Sequence, residues 1–215
     1  MKKIYLLLLV LSVSLSGLAQ KRVTSTDPVN HNLEDNLAPD NEGFGLKGGI
    51  NLADVYGNAG SDFTTPEKIK SFHAGVYAQF SFTDNFSVQP EVLFSRKGFT
   101  AGNSGVAGGT HKIRLDYFDV PLLFSLRVLN NISLMAGPQA SLLLTVKEND
   151  QELDKAGYNS FDLGAAAGIE GRLSVFRIGA RYNRSYENIY KADNTISAGN
   201  DLKNQVFQFY LGVGF

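Results

Sequence analysis

The stretch Gln205–Phe215, QVFQFYLGVGF, sets Phe207, Phe209, Leu211, Val213 and Phe215 on one side of an extended chain. Gln208, Tyr210, Gly212 and Gly214, all polar or small, fall on the other. Strict period-two alternation is the signature of a β-strand with two unlike faces. Soluble chains usually finish on loose polar residues, so a strand pattern running to a terminal phenylalanine predicts that these residues are paired in a sheet whose outer face tolerates bare aromatic rings.

The same period recurs upstream in seven further segments: Phe44–Leu52, Ser71–Phe82, Phe86–Phe94, Ile113–Leu126, Ile132–Val146, Phe161–Leu173 and Val175–Tyr186. In SFHAGVYAQFSF, Phe72, Ala74, Val76, Ala78, Phe80 and Phe82 oppose Ser71, His73, Gly75, Tyr77, Gln79 and Ser81. The fourth segment changes phase: Ile113, Leu115 and Tyr117 alternate out of step with Val120, Leu122, Phe124 and Leu126, which predicts a bulge near Phe118. Pro90, Pro121 and Pro138 fall inside segments and are expected at bulges or bends. Tight connections at Thr83–Asn85, Val128–Asn131 and Ser174 alternate with long ones at Tyr56–Lys70, Phe99–His111, Glu148–Asn159 and Glu187–Lys203. Even strand number with alternating short and long connections predicts an all-β, eight-stranded antiparallel up-and-down transmembrane β-barrel over residues 43–215. Short turns and both termini are then periplasmic and the long loops face outward.

Bulk properties agree with this reading. The 215 residues carry a formal net charge of −1 and no cysteine, which excludes a disulfide-stapled domain and argues against a nucleic-acid partner. Residues 1–19 read as a cleavable signal peptide: Lys2 and Lys3, an apolar run from Ile4 to Leu15, and the small-residue site Gly17-Leu18-Ala19. That run is too short for a membrane helix. Residues 20–42 are polar and aperiodic, the composition of a flexible periplasmic leader.

A soluble barrel also alternates, with its apolar side turned in, so charge must decide which face is which. One face is almost free of charge, Arg96 excepted. The other mixes Gly, Ser, Gln and Tyr with Lys47, Glu91, Asp119, Asp162, Glu170, Arg172, Arg177 and Arg181, a set able to neutralise itself in a narrow lumen. A basic residue facing mid-membrane costs ~2–4 kcal/mol, so turning four outward costs roughly 8–16 kcal/mol, as much as a domain's net stability of ~5–15 kcal/mol. The phase is therefore fixed. Closure requires the last strand to pair with the first, and Phe215 is then expected at the periplasmic interface near Phe82, Phe86 and Phe176, as an insertion signal for the barrel-assembly machinery.

At GLKGGINLADVYG, FHAGVYAQFSFTDNFSVQPEVLFSRKG, LDYFDVPLLFSL and NISLMAGPQASLLL the sequence resembles the PorT-like outer-membrane β-barrel family, from about Gly45 to Phe215. The resemblance implies a Gram-negative outer-membrane barrel of about eight strands. The founding member's link to a secretion apparatus implies no specific activity for this chain.

Candidate chemistry is sparse. Of three histidines, His31 lies in the leader, His111 in a glycine-rich loop, and His73 on the lumen face beside Ser71 and Tyr77. A nucleophile and base need mutual contact, and a lumen histidine in a hydrogen-bond network is the preferred reading. The glycine-rich stretch from Gly98 to Lys112 lacks the lysine pattern of a phosphate cradle. Glu148, Asp150, Glu152 and Asp154 lack the spacing of a known calcium loop. Tyr182, Tyr186 and Tyr190 fit an outer aromatic belt. The expectation is a non-enzymatic barrel without cofactor or metal, with a salt-bridged lumen and a structural or binding role through its outer loops. Outer-membrane lipid surrounds it, and an envelope protein is a possible partner. The alternative is a small pore or a component of a secretion or transport apparatus.

Overall fold

The computed structural model describes residues 43–58, 63–103, 110–191 and 201–214. The expected signal peptide, the leader and Phe215 lie outside the described residues. The strands are β1 (Gly43–Asn58), β2 (Phe63–Ser81), β3 (Phe86–Asn103), β4 (Thr110–Leu129), β5 (Ile132–Glu148), a short β6 (Gln151–Leu153), β7 (Phe161–Leu173), β8 (Phe176–Ser185) and β9 (Asp201–Gly214), with one 3₁₀ turn at Lys155–Gly157. All pairings are antiparallel; β5 pairs with both β4 and β7, and β9 pairs with β1 from Gly45↔Gly214 to Asn58↔Asp201. Eight long strands thus close into a barrel, and closure leaves no backbone edge facing hydrocarbon.

Tight turns gather at one end, here the turn end, and long connections at the other, the loop end. Ser174, at the β7–β8 turn, has φ of 55°. The outward residues form an apolar band: Leu46, Ile178 and Leu211 are 57%, 57% and 67% exposed, far beyond what a water-soluble core leaves open. Phe44, Phe82, Phe86 and Phe176 ring the turn end, as an interfacial aromatic belt does.

Polarity inverts along the strands. Toward the loop end the outward positions become polar: Leu52 is followed by Asp54, Phe72 is preceded by Lys70, Phe94 is followed by Arg96, and Phe118, Tyr182 and Phe207 give way to Asp116, Arg184 and Gln205. Over the same stretch the inward positions become apolar. Val55, Phe99, Ile113, Leu115, Tyr117, Leu143, Val146 and Leu202 form one buried core with Tyr158, Ile189 and Tyr190. Within the band the barrel is oily outside and polar inside. Beyond the band it is built like a soluble barrel.

This inversion corrects the reading of the fourth segment. Ile113, Leu115, Tyr117, Asp119, Leu123 and Ser125 all point inward in one unbroken phase, while Phe118, Leu122, Phe124 and Leu126 stay exposed. β4 does not change phase; its hydrophobicity changes sides where the strand leaves the apolar band. The irregularity lies on β5. Asp116 pairs with Thr145 but Tyr117 with Leu143, which leaves Leu144 as the extra residue and turns Val146 inward. The prolines do not mark bulges. Pairing runs through Pro90↔Leu122, Pro121↔Gln139 and Pro138↔Ala165 with no register shift at these positions, because each proline removes one ladder donor while side-chain polarity on both faces still pins the register. The strands also reach further than the sequence segments, β2 starting at Phe63 and β9 at Asp201.

The loop-end core is expected to carry stability of the ordinary aqueous kind. Phe99→Ala should lower the unfolding free energy by about 3–5 kcal/mol, measured by urea unfolding of the barrel refolded in detergent. Phe124→Ala, on the outward band where lipid or detergent fills the space, should cost less.

Candidate functional site

Among the described residues, buried charge concentrates in the lumen. Lys47 on β1 stands at its centre, with Nζ 2.8 Å from Glu91 Oε1 on β3 and 3.2 Å from Glu170 Oε2 on β7. The ammonium also lies 4.2 Å from the Tyr210 ring centroid and 5.0 Å from that of Tyr77. Arg181 Nη1 takes the other Glu91 oxygen at 2.8 Å, and Arg177 Nη1 takes the other Glu170 oxygen at 3.0 Å. The Tyr210 hydroxyl donates to Glu170 Oε2 at 3.1 Å, and Gln89 Nε2 donates to Glu91 Oε1 at 2.7 Å. Every oxygen of both buried carboxylates therefore faces a cation. Burying charge costs several kcal/mol per ion unless geometry and extra hydrogen bonds offset it, and both are present here.

Small residues make the room. Gly179 sits opposite Tyr210 and Gly45 opposite Tyr77. A Cβ at Gly179 would lie 2.3 Å from the Tyr210 ring, and one at Gly45 would lie 2.5 Å from the Tyr77 hydroxyl. The two rings can lean across the lumen because their neighbours lack side chains.

Of the charged residues expected in the lumen, Lys47, Glu91, Glu170, Arg172, Arg177 and Arg181 join one network. Arg172 enters it through Gln79, whose Oε1 accepts from Arg172 Nη2 at 2.7 Å and Arg177 Nη1 at 2.5 Å. Asp119 and Asp162 stand apart, nearer the loop end. Asp119 Oδ1 pairs with Lys97 Nζ at 2.8 Å, which also donates to Ser141 Oγ at 3.3 Å. Asp162 accepts from the Ser185 hydroxyl. Lys97, 1% exposed, is the functional residue the sequence reading missed. Its signal was parity: it continues the inward series Glu91, Leu93, Ser95, past the point at Phe94 where the third segment seemed to stop.

His73, Ser71 and Tyr77 do not assemble into a catalytic set. His73 Nδ1 lies 2.6 Å from Asn51 Oδ1, which also accepts from Gln208 Nε2 at 2.9 Å. The Ser71 hydroxyl is given to the Arg96 carbonyl at 2.6 Å. The acids of the Glu148–Asp154 stretch diverge: Glu148 meets His111, Asp150 meets Arg114 at 2.9 Å, and Asp154 accepts from the Ala156 amide at 3.0 Å. Arg96, the charge on the oily face, makes a two-point contact with Asp116 at 2.7 and 3.2 Å and lies 5.0 Å over the Phe72 ring.

At the loop end two connections fasten together over the apolar core. Tyr158 and Tyr190 form a backbone bridge with ring centroids 5.1 Å apart. The Lys191 amide donates to the Gly157 carbonyl at 3.0 Å, and Asn159 Nδ2 donates to the Asn188 and Tyr190 carbonyls at 2.7 and 3.2 Å. Tyr190, expected in the outer belt with Tyr182 and Tyr186, is instead 2% exposed, because the stretch 186–191 turns in onto the apolar core. Burial raises the pKa of both the Tyr158 and Tyr190 hydroxyls above the ordinary value.

Two outcomes follow from this geometry. Lys47→Met leaves Glu91 and Glu170 short of a cation and should cost about 3–5 kcal/mol in urea unfolding; adding Glu170→Gln should restore part of the loss. The tyrosine lid should weaken as pH rises through ~10, because the unfolded chain releases these protons there while the folded one holds them, so the stability they contribute is present below that pH and lost above it. Hydrogen exchange of the Tyr158, Asn159 and Lys191 amides should accelerate across that window, beyond the general base-catalysed trend seen in β7.

Comparison with known proteins places this architecture. The model of the outer membrane protein beta-barrel domain matches residues 33–191. No curated protein gives a significant match. Among solved structures, Neisserial surface protein A aligns with a TM-score of 0.53 at 13% identity, covering 80% of this chain and 97% of that one. Ail, the attachment invasion locus protein of Yersinia pestis, aligns at 0.48 and 14% identity, covering 82% and 100%. OprG from Pseudomonas aeruginosa aligns at 0.48 and 13% identity, covering 83% and 99%. At 13% identity the likeness to Neisserial surface protein A speaks to fold alone. The family match spans most of the chain and agrees with the closed eight-stranded barrel: this protein belongs to the outer membrane protein beta-barrel domain family.

Proposed function

We propose that this outer-membrane barrel is a closed, non-enzymatic envelope protein that acts through its loop-end surface rather than through its lumen. One observation carries the reading: the lumen is filled in two storeys by different chemistry. The turn-end half holds the Lys47–Glu91–Glu170–Arg177–Arg181 network, and the loop-end half holds the apolar core capped by Tyr158 and Tyr190. Eight strands enclose only enough room for side chains, and a hydrated ion has no path through packed Phe99, Leu115 and Leu202, all at most 1% exposed.

The orientation belongs to this reading. Short turns and both termini face the periplasm, the long loops face outward, and the band of lipid-facing residues lies between. The barrel-assembly machinery inserts the chain, with Phe215 as its signal, and outer-membrane lipid is its constant partner. The PorT-like affiliation rests on the order of the four motifs. The non-enzymatic reading is supported by the separate engagements of His73 with Asn51 and of the Ser71 hydroxyl with the Arg96 carbonyl.

Planar-bilayer recording of the purified protein tests the closed lumen. A flat baseline is expected, and steady ohmic conductance approaching that of open porins would overturn it. A mild-detergent pull-down that returns a stoichiometric secretion subunit would instead favour the secretion reading.

A further inference from the structure

Arg177 enters the lumen just past Phe176, at the level of the aromatic ring that marks the turn end. The hydrogen bonds of its guanidinium to Gln79, Gln89 and Glu170 all leave through Nη1, at 2.5, 3.1 and 3.0 Å. The side edge of the fork, Nε and Nη2, turns instead toward the end of β9. There Gly214 pairs with Gly45 and donates its amide to the Val175 carbonyl at 2.8 Å. A Cβ built on Gly214 would lie 2.9 Å from the Tyr77 hydroxyl, 3.6 Å from Arg177 Nε and 3.7 Å from Arg177 Nη2. Apart from the adjoining residues of the chain, these are the three nearest heavy atoms to that point. Three donors thus converge on one spot that a glycine leaves open.

Among the described residues no acceptor meets these donors. The Tyr77 hydroxyl is buried without a hydrogen-bond partner, and the Arg177 side edge faces none. The Tyr77 ring lies 4.4 Å from Arg177 Cζ and holds the fork in place. Charge points the same way. The turn-end network sets Lys47, Arg172, Arg177 and Arg181 against Glu91 and Glu170, two positive charges in excess. The Lys97, Asp119 and Asp162 group returns one, which leaves the buried lumen with one positive charge unmatched. Arg172 and Arg177 are also directly opposed on β7 and β8, both inward, and both donate to the neutral Gln79 Oε1. Like charges so placed repel. A guanidinium edge offers two parallel N–H groups that match two oxygens of a carboxylate or phosphate.

We propose that the turn-end mouth of the lumen binds one small oxyanion, a carboxylate or phosphate group, on the Nε–Nη2 edge of Arg177 and the Tyr77 hydroxyl, over Gly214. The anion offsets the positive excess of the network and eases the repulsion between Arg172 and Arg177. It enters from the turn end, since the apolar core shuts the lumen from the other side. The site is separate from the loop-end surface and stands or falls on its own test.

The experiment is thermal unfolding of the full chain, refolded in detergent at neutral pH, with sodium chloride replaced stepwise by sodium phosphate or sodium acetate at one ionic strength. A ligand bound only to the folded state raises the midpoint with its concentration. The expected result is a rise of several degrees that levels off as phosphate or acetate increases, the anion that acts naming the class. Gly214→Ala, which fills the spot, and Tyr77→Phe, which removes one donor, should each lose most of that rise. Should one of them fail to fold, the other decides. Tyr182→Phe, whose hydroxyl bonds Gln205 at 2.9 Å on the outer face, should keep the rise. General salting effects act on wild type and variants alike, so the difference between them reports the site. Equal midpoints in all three anions, as when a carboxylate of the chain itself takes the fork, would overturn the proposal. So would a rise that the folded variants retain.

Discussion

Each long strand of this barrel passes through two surroundings, and side-chain polarity follows whichever medium lies outside the wall. Hydrocarbon offers no hydrogen bonds, so the backbone must close upon itself and the outer face must be apolar. Past the edge of the hydrocarbon, water returns and the ordinary rule of a soluble sheet resumes, with oily residues turned in. The inward and outward positions never exchange places along β4; only their chemistry does. From this one constraint come the closure of β9 on β1, the charged lower lumen, and the apolar core with Tyr158 and Tyr190 above it.

The lower lumen shows how charge becomes structure in a space without room for bulk water. Lys47 answers to two carboxylates and two aromatic rings, each from a different strand. Such convergence specifies register as well as stability, because a slip of one residue would send Lys47, Arg177 and Arg181 into lipid. The glycines opposite Tyr77 and Tyr210 belong to the same device. A tyrosine large enough to meet a cation across the lumen needs a facing position with no side chain.

Much of this was legible in the sequence. Strand number, the alternation of short and long connections, the lipid face and the lumen location of Lys47, Glu91, Glu170, Arg177 and Arg181 follow from period-two arithmetic, since parity alone sorts inside from outside. What parity cannot supply is the medium. Ile113, Leu115 and Tyr117 looked out of phase because an apolar residue was equated with an outward one, which holds only within the bilayer. The third segment seemed to stop at Phe94 for the same reason, which hid Lys97. The cap over the mouth was illegible in a different way. Tyr190 reaches Tyr158 by backbone pairing between two connections, and no periodicity marks residues outside regular strands.

The contact between Arg96 and Asp116, seated on Phe72, lies where the wall changes from oil-facing to water-facing. It works as a waterline. A bilayer only a few ångströms thicker would submerge this pair, while a thinner one would strand Phe72 and Phe94 in water, and either mismatch costs a fraction of a kcal/mol for each ångström. The protein's depth is thus gauged at the loop-end margin of its apolar band, where a charged pair and two aromatic rings meet.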